Sequence, residues 1–65
     1  MSVAKVIEVI AEGESMEAAI QAAVTEAAKS VRNIRSVYVE STQALVENDR
    51  VVKYRVNAKV TFVVE

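Results

Sequence analysis

The hydrophobic and polar positions at the start of the chain predict one strand followed by one helix. Residues 3–11 are rich in β-branched side chains and predict a strand. Apolar residues then recur at helical spacing, which predicts an amphipathic helix over residues 16–32 with Ser15 as its N-cap. The predicted buried stripe of this helix consists of Met16, Ala19, Ile20, Ala23, Ala27 and Val31. Because half of these are alanines, larger residues on the sheet must supply much of the core volume.

The last segment, "VVKYRVNAKVTFVVE", alternates between apolar and polar side chains. This period of two predicts a long strand with one face on the core. Its inward positions are Val52, Tyr54, Val56, Ala58, Val60, Phe62 and Val64, and its outward positions are Lys53, Arg55, Asn57, Lys59, Thr61, Val63 and Glu65.

A two-residue turn at Asn48 and Asp49 would join this strand to a preceding strand over residues 34–47. Such a turn sets the register of the hairpin and predicts two cross-strand pairs on each face. They are Val37–Val60 and Val39–Ala58 on the core face, and Tyr38–Lys59 and Thr42–Arg55 on the outer face. In this register, the apolar residues of both strands lie on the same face of the sheet, which is the core face.

These elements predict a single domain over residues 1–65 with the order βαββ. A crossover through a helix makes the first two strands parallel in direction, and the third runs antiparallel to both if it lies between them. The expected fold class is therefore α+β, with a three-stranded antiparallel sheet of strand order 1-3-2 wrapped around one helix.

The predicted hairpin is longer than the helix beside it. A helix over residues 16–32 spans about 25 Å, whereas an extended strand over residues 34–47 spans about 46 Å. The overhang carries apolar side chains that one subunit does not cover, and such patches usually mark an interface. They are Leu45, Val46, Val52 and Tyr54. The alternative is that the hairpin twists back over its own helix.

Composition and charge exclude several function classes. The 65 residues contain no cysteine and no histidine, which removes disulfides, thiolate zinc sites and imidazole ligands. A chain of this size buries only about 60% of its unfolded surface, so oligomerisation is the expected source of further stability. The 8 basic and 9 acidic residues are interspersed, which argues against nucleic acid or a membrane surface as a partner. No apolar run is long enough for a membrane-spanning helix and no secretion signal is visible, so a cytoplasmic protein is expected.

Catalysis is not expected from this chain. No spacing typical of a nucleophile and its base is present, and no glycine-rich phosphate loop. On the outer face, Glu40 with Arg55 or Lys53 predicts a salt bridge between strands or subunits and not a catalytic couple.

Several segments together resemble the dodecin family. They are "AKVIEVI", then "ESMEAAIQAAVTEAAKSVRNI" followed by "VYV", and the closing "YRVNAKVTF". The likeness covers nearly the whole chain without large gaps. It implies a homododecamer of four trimers, arranged with tetrahedral symmetry as a hollow sphere. It also implies that flavins such as riboflavin, FMN or lumichrome bind in pairs near two-fold axes and are stored without being transformed.

The chain departs from the flavin-binding pattern at two positions. In the flavin-binding members that the chain resembles, a tryptophan at the position of Ser36 stacks on the flavin. A glutamine at the position of Arg55 binds the pyrimidine edge of the flavin in those members. Serine has no π surface, and stacking contributes about 1–3 kcal/mol per face. A guanidinium only donates hydrogen bonds, so Arg55 cannot replace an acceptor. The expected site is a degenerate flavin pocket of Ser36, Tyr38 and Arg55 with low flavin affinity, in which Tyr38 either stacks on a ring or fills a contact between subunits.

Some family members that lack the tryptophan are described as calcium-binding dodecins. This chain resembles them in two short segments: "KVI" followed by an acidic residue, and the "YR" of the third strand. The available oxygen ligands are those of Glu8, Glu12, Glu14, Glu40, Glu47 and Asp49 and the turn carbonyls around Asn48, and the candidate metal ligands chosen among them are Glu8, Glu40, Glu47 and Asp49. Calcium takes six to eight oxygens, so several symmetry copies would have to contribute. Three hypotheses follow: a dodecin-like protein that binds and stores a small ligand, a calcium-binding dodecin, and a hollow shell without a physiological ligand.

Overall fold

The computed structural model describes residues 3–64, which form three strands and one helix. In chain order they are β1 (Val3–Gly13), α1 (Met16–Ala27), β2 (Ile34–Glu47) and β3 (Arg50–Val64). β3 lies between the other two strands and pairs antiparallel with both, so the strand order is β1-β3-β2. The predicted α+β fold class and strand order are confirmed. The predicted domain also includes Met1, Ser2 and Glu65, which lie outside the described residues.

The helix α1 is capped as predicted but ends earlier than predicted. Ser15 has an extended backbone, and its Oγ accepts a hydrogen bond from the Ala18 N–H at 3.0 Å. The helix ends at Ala27 instead of continuing to residue 32, because the chain turns and then enters a left-handed conformation at Asn33, with φ 61°. The Asn33 carbonyl accepts a hydrogen bond from the Val63 N–H at 3.1 Å, which docks this turn on β3. Within residues 3–64, no helix has the length and apolarity that crossing a membrane requires.

A small core joins the helix to one face of the sheet. The buried apolar residues are Ala19, Ala23, Ala27, Val56, Ala58 and Val60. Among residues 3–64, only Val56 and Val60 are fully buried side chains larger than alanine, so little apolar area holds the subunit together. Met16, predicted in the buried stripe, is 46% exposed, and Val31 lies beyond the end of the helix. Below, the face of the sheet against α1 is called the inner face and the opposite face the outer face.

Gly13 lies where the end of β1 passes the start of α1. A β-carbon at this position would lie 2.6 Å from the Ala19 nitrogen and 2.9 Å from the Ala18 carbonyl carbon, closer than real β-carbons approach other atoms. These are backbone atoms, so no rotation of a side chain relieves the contact. Glycine therefore allows the strand and helix to meet here, directly beside Glu12.

The hairpin register agrees with the prediction near its middle and differs farther along. The confirmed pairs are Val37–Val60, Tyr38–Lys59 and Val39–Ala58. The predicted pairing of Thr42 with Arg55 is wrong, because Thr42 lies opposite Val56 and Gln43 lies opposite Arg55. A β-bulge between Val39 and Ser41 inserts one extra residue, Glu40, and the following side chains change faces.

The turn at Asn48 and Asp49 is confirmed. Both residues have positive φ, 52° and 65°, as a two-residue type I′ turn requires. Glu47 and Arg50 pair directly on either side of it. A further register shift between Leu45 and Val46 adds irregularity to the end of the hairpin.

The hairpin projects beyond the helix, as predicted. The subunit measures 51 × 19 × 13 Å along its principal axes, whereas a 12-residue helix spans about 18 Å. Near the turn, Val46, Val51 and Val52 are 59%, 53% and 43% exposed. The long axis excludes the alternative in which the hairpin folds back over its own helix.

Candidate functional site

The outer face of the sheet carries all three residues predicted for the ligand site. Directly opposed residues of antiparallel strands point to the same face, so the outer face forms rows across β1, β3 and β2. In order along the sheet, the rows are Val6–Thr61–Ser36, Glu8–Lys59–Tyr38, Ile10–Asn57–Ser41 and Glu12–Arg55–Gln43. Their β3 members alternate with the buried residues Val56, Ala58 and Val60, which face the helix.

Arg55 is held by an ion pair at one end of this surface. Its Nε and Nη2 donate hydrogen bonds to the Glu12 Oε2 at 3.0 and 2.7 Å. The Lys53 Nζ lies 4.0 Å from the other carboxylate oxygen. The hydrogen bond from Arg55 holds the pKa of Glu12 below its ordinary value, with a further contribution from the charges of Arg55 and Lys53. The guanidinium is therefore already neutralised and partly hydrogen-bonded within the subunit.

A second ion pair lies near the middle of the outer face. The Lys59 Nζ is 3.0 Å from the Glu40 Oε1, and this hydrogen bond together with the carboxylate charge raises the pKa of Lys59. Glu40 thus pairs with Lys59 and not with Arg55 or Lys53, the partners expected from the sequence. Glu8 and Tyr38 lie opposite Lys59 on the two flanking strands. Tyr38 is 65% exposed, so its ring is free to contact a ligand or a second subunit.

The two remaining rows combine exposed apolar and small polar side chains. Ser36 is exposed opposite Thr61, and Val6 on the other side of Thr61 is 55% exposed. In the other of these two rows, Ile10 is 65% exposed. Asn57 in that row has a buried Oδ1 that accepts no hydrogen bond from residues 3–64. An apolar surface with an unsatisfied acceptor resembles an interface more than a solvated face.

Ser36 and Arg55 lie on the same face of the sheet but far apart along it. Ser36 lies opposite Thr61, which is six positions along β3 from Arg55, a separation of about 20 Å at 3.3 Å per residue. Residues 3–64 also form no pocket of their own. One subunit therefore does not place the three predicted ligand residues around a single small molecule.

The four acidic residues predicted as metal ligands are divided between two regions. Glu8 and Glu40 lie near Lys59 on the outer face, whereas Glu47 and Asp49 flank and form the hairpin turn. Across the part of the chain that the structure describes, no three acidic side chains cluster as metal ligands would.

Two residues of the Arg55 row have roles that sequence reasoning does not assign. Glu12 is four residues after Glu8 on β1 and therefore points to the same face of the sheet. A prediction of the pairing between β1 and β3 would have placed Glu12 opposite Arg55. Gln43 has no such signal, because its position opposite Arg55 depends on the bulge at Glu40.

Comparisons with known proteins agree with the likeness seen in the sequence. The family model described as Dodecin matches residues 3–65. The chain belongs to the dodecin family. No curated protein matches the chain. The family and structural matches support a dodecin-like small-ligand-binding protein.

Solved dodecin structures superpose closely on the subunit. An arginine-to-alanine variant of the Thermus thermophilus dodecin is 32% identical, with a TM-score of 0.91 over 100% of this chain and 98% of that chain. Dodecin from Streptomyces coelicolor is 25% identical, with a TM-score of 0.89 over 98% of this chain and 93% of that one. Dodecin from Streptomyces davaonensis is 15% identical, with a TM-score of 0.90 over 98% and 96%. This last match shows the shared dodecin fold alone.

Proposed function

We propose that this dodecin assembles as a homododecamer and holds a planar small molecule between the outer faces of two subunits, with low affinity for flavins. The observation that carries the proposal is the composition of the outer face: a serine stands at the stacking position and an ion-paired arginine at the edge position. Binding and storage, without chemical change of the ligand, is the proposed role. The lack of histidine and cysteine supports this role, because those residues most often perform acid-base and nucleophilic chemistry.

The geometry of the outer face supports a site made by two copies. Ser36 and Arg55 are about 20 Å apart along one sheet, too far to contact one ring system together. A two-fold axis that runs parallel to the sheet, above the outer face and between the Lys59 and Asn57 rows, would bring Ser36 of one copy to the Arg55 row of the other. The same axis would cover Ile10 and Tyr38, each 65% exposed.

The size of the core supports assembly independently. In the described part of the chain, only two side chains larger than alanine are fully buried, while large apolar residues are exposed on the outer face and at the hairpin turn. A 65-residue chain with so little buried apolar volume gains stability by covering these patches with other copies.

Low flavin affinity follows from the lost stacking surface. Each stacking face contributes about 1–3 kcal/mol, and a flavin pair at a two-fold axis would lose one face per flavin when tryptophan is replaced by serine. Tyr38 is the aromatic residue of the outer face that remains to contact a ring. We therefore expect weak binding of riboflavin, FMN and lumichrome, with Ser36, Tyr38 and Arg55 around the ring.

Two measurements test the proposal. Sedimentation velocity should give a species of twelve chains, and a monomer or dimer at micromolar concentration would contradict the assembly. Titration of riboflavin, FMN and lumichrome with fluorescence detection should show quenching at high micromolar ligand. Nanomolar affinity would refute the degenerate pocket, whereas complete absence of quenching would support a shell without a flavin.

Calcium is the second candidate ligand. The observation in its favour is the projecting turn, where Glu47 and Asp49 are exposed and form no salt bridge with other residues between 3 and 64. Because a subunit supplies too few oxygens, the turns of several copies would have to meet. A calcium-dependent rise in melting temperature that is lost in Asp49→Asn would support this site, and equal melting with calcium and with chelator would exclude it.

A further inference from the structure

Gln43 lies directly opposite Arg55 on the outer face because of the bulge at Glu40. Without the extra residue, the register would place Thr42 opposite Arg55 and turn Gln43 toward the inner face. The bulge thus brings an exposed carboxamide into the row that carries the ion pair.

The charged residues of this row satisfy one another. Arg55 donates two hydrogen bonds to one oxygen of Glu12, at 3.0 and 2.7 Å, and Lys53 approaches the other oxygen at 4.0 Å. In contrast, the Gln43 carboxamide forms no hydrogen bond with other side chains or backbone groups of residues 3–64. Gln43 therefore contributes a free donor and a free acceptor, while the guanidinium can only donate.

We propose that Gln43 determines the ligand specificity of the outer face by recognising a ring edge on which an N–H adjoins a carbonyl. A carboxamide forms two hydrogen bonds with such an edge, one donated and one accepted. Glu12 offsets the charge of Arg55, and the uncharged carboxamide of Gln43 suits a neutral ring edge. This assignment rests on the proposed function, since it requires a planar ligand between outer faces.

Comparing Gln43→Met with Gln21→Met in the assembled protein tests the assignment. Both changes remove a carboxamide and leave a side chain of similar length. Gln21 is an exposed residue of α1, and its Nε2 donates a hydrogen bond to the Thr25 Oγ1 at 3.3 Å. The probes are riboflavin and 3-methylriboflavin, in which the ring N–H between two carbonyls is blocked. Binding is measured by fluorescence quenching, and assembly of each variant by sedimentation velocity.

Gln43→Met should weaken riboflavin binding about tenfold, as expected for losing two neutral hydrogen bonds, and should weaken 3-methylriboflavin binding less, because only the bond donated to a ring carbonyl can form with that probe. Gln21→Met should change neither. Equal riboflavin affinity in the two variants, or equal weakening of both probes by Gln43→Met, would overturn the role of Gln43 while leaving the proposed function intact. If the unmodified protein binds neither probe, the flavin part of the proposed function fails and the assignment of Gln43 fails with it.

Discussion

Replacement of Gly13 by alanine tests how closely β1 must approach α1. The new β-carbon would lie 2.6 Å from the Ala19 nitrogen, 2.9 Å from the Ala18 carbonyl carbon and 3.0 Å from the Ala18 β-carbon. Ordinary contacts of this kind are 3.4–4 Å, so the start of the helix must move away from the strand. Ala19 is fully buried, and a movement there would also loosen its packing on the sheet.

Two opposing effects set the size of the destabilisation. Inserting a methyl group into a packed region costs about 1–3 kcal/mol. Gly13 does not have a positive φ, so alanine also restricts the unfolded chain and recovers about 0.4–1 kcal/mol. The expected net loss is about 1–2 kcal/mol, which in a domain of this size lowers the melting temperature by roughly 4–16 °C.

Thermal melting followed by circular dichroism measures this loss. All variants must be compared at one protomer concentration, because assembly makes the midpoint depend on concentration. Ala4→Gly is a matched control, since Ala4 is an exposed residue of the same strand and the change reports the backbone effect without the contact. A melting temperature for Gly13→Ala equal to or above that of the unmodified protein would refute the close approach.

Three further predictions concern the outer face and the turn. Ser36→Trp should strengthen riboflavin binding about five- to 150-fold through one stacking face; fluorescence titration checks this, and unchanged affinity would mean that the face has also changed shape. Glu12→Gln should reduce the loss of stability in acid. The pKa of Glu12 is lowered in the folded protein, so its carboxylate stabilises the fold at pH values above its ordinary pKa of 4.5, and this contribution disappears as the pH falls through the pKa of the folded state. Melting at pH 7 and pH 3 against Glu14→Gln measures it, and identical pH dependence of the two variants would contradict the ion pair's role. Asp49→Val should destabilise the protein by about 1–2 kcal/mol, since a β-branched residue resists the positive φ of 65°; an unchanged denaturation midpoint would count against a strained turn.

The helix start, the hairpin turn and the core face of β3 were predictable because local sequence determines them. Ser15 caps α1 through a bond to a backbone N–H three residues away. Asn48 and Asp49 tolerate the positive φ that a two-residue turn requires. The alternation of apolar and polar residues in β3 is sufficient to predict that Val56, Ala58 and Val60 face the core, without knowledge of the residues that pack on them.

The end of the helix and the second half of the hairpin were not predictable from the same patterns. The apolar spacing continues to Val31, but Asn33 reverses the chain so that β2 can reach β3, which is a requirement of the fold as a whole. The bulge at Glu40 was likewise not predictable, because no residue type in "VYVEST" requires it.

The candidate site also has features that the sequence determines and features that only the tertiary structure decides. The sequence by itself determined that Ser36, Tyr38 and Arg55 lie on a face opposite the core, because alternation along a strand fixes the side to which each residue points. Tertiary structure alone decided that Arg55 is held by Glu12 and that Gln43 stands beside it. These contacts join residues on different strands, and the position of Gln43 also depends on a one-residue register shift in β2 that reverses the faces of that strand.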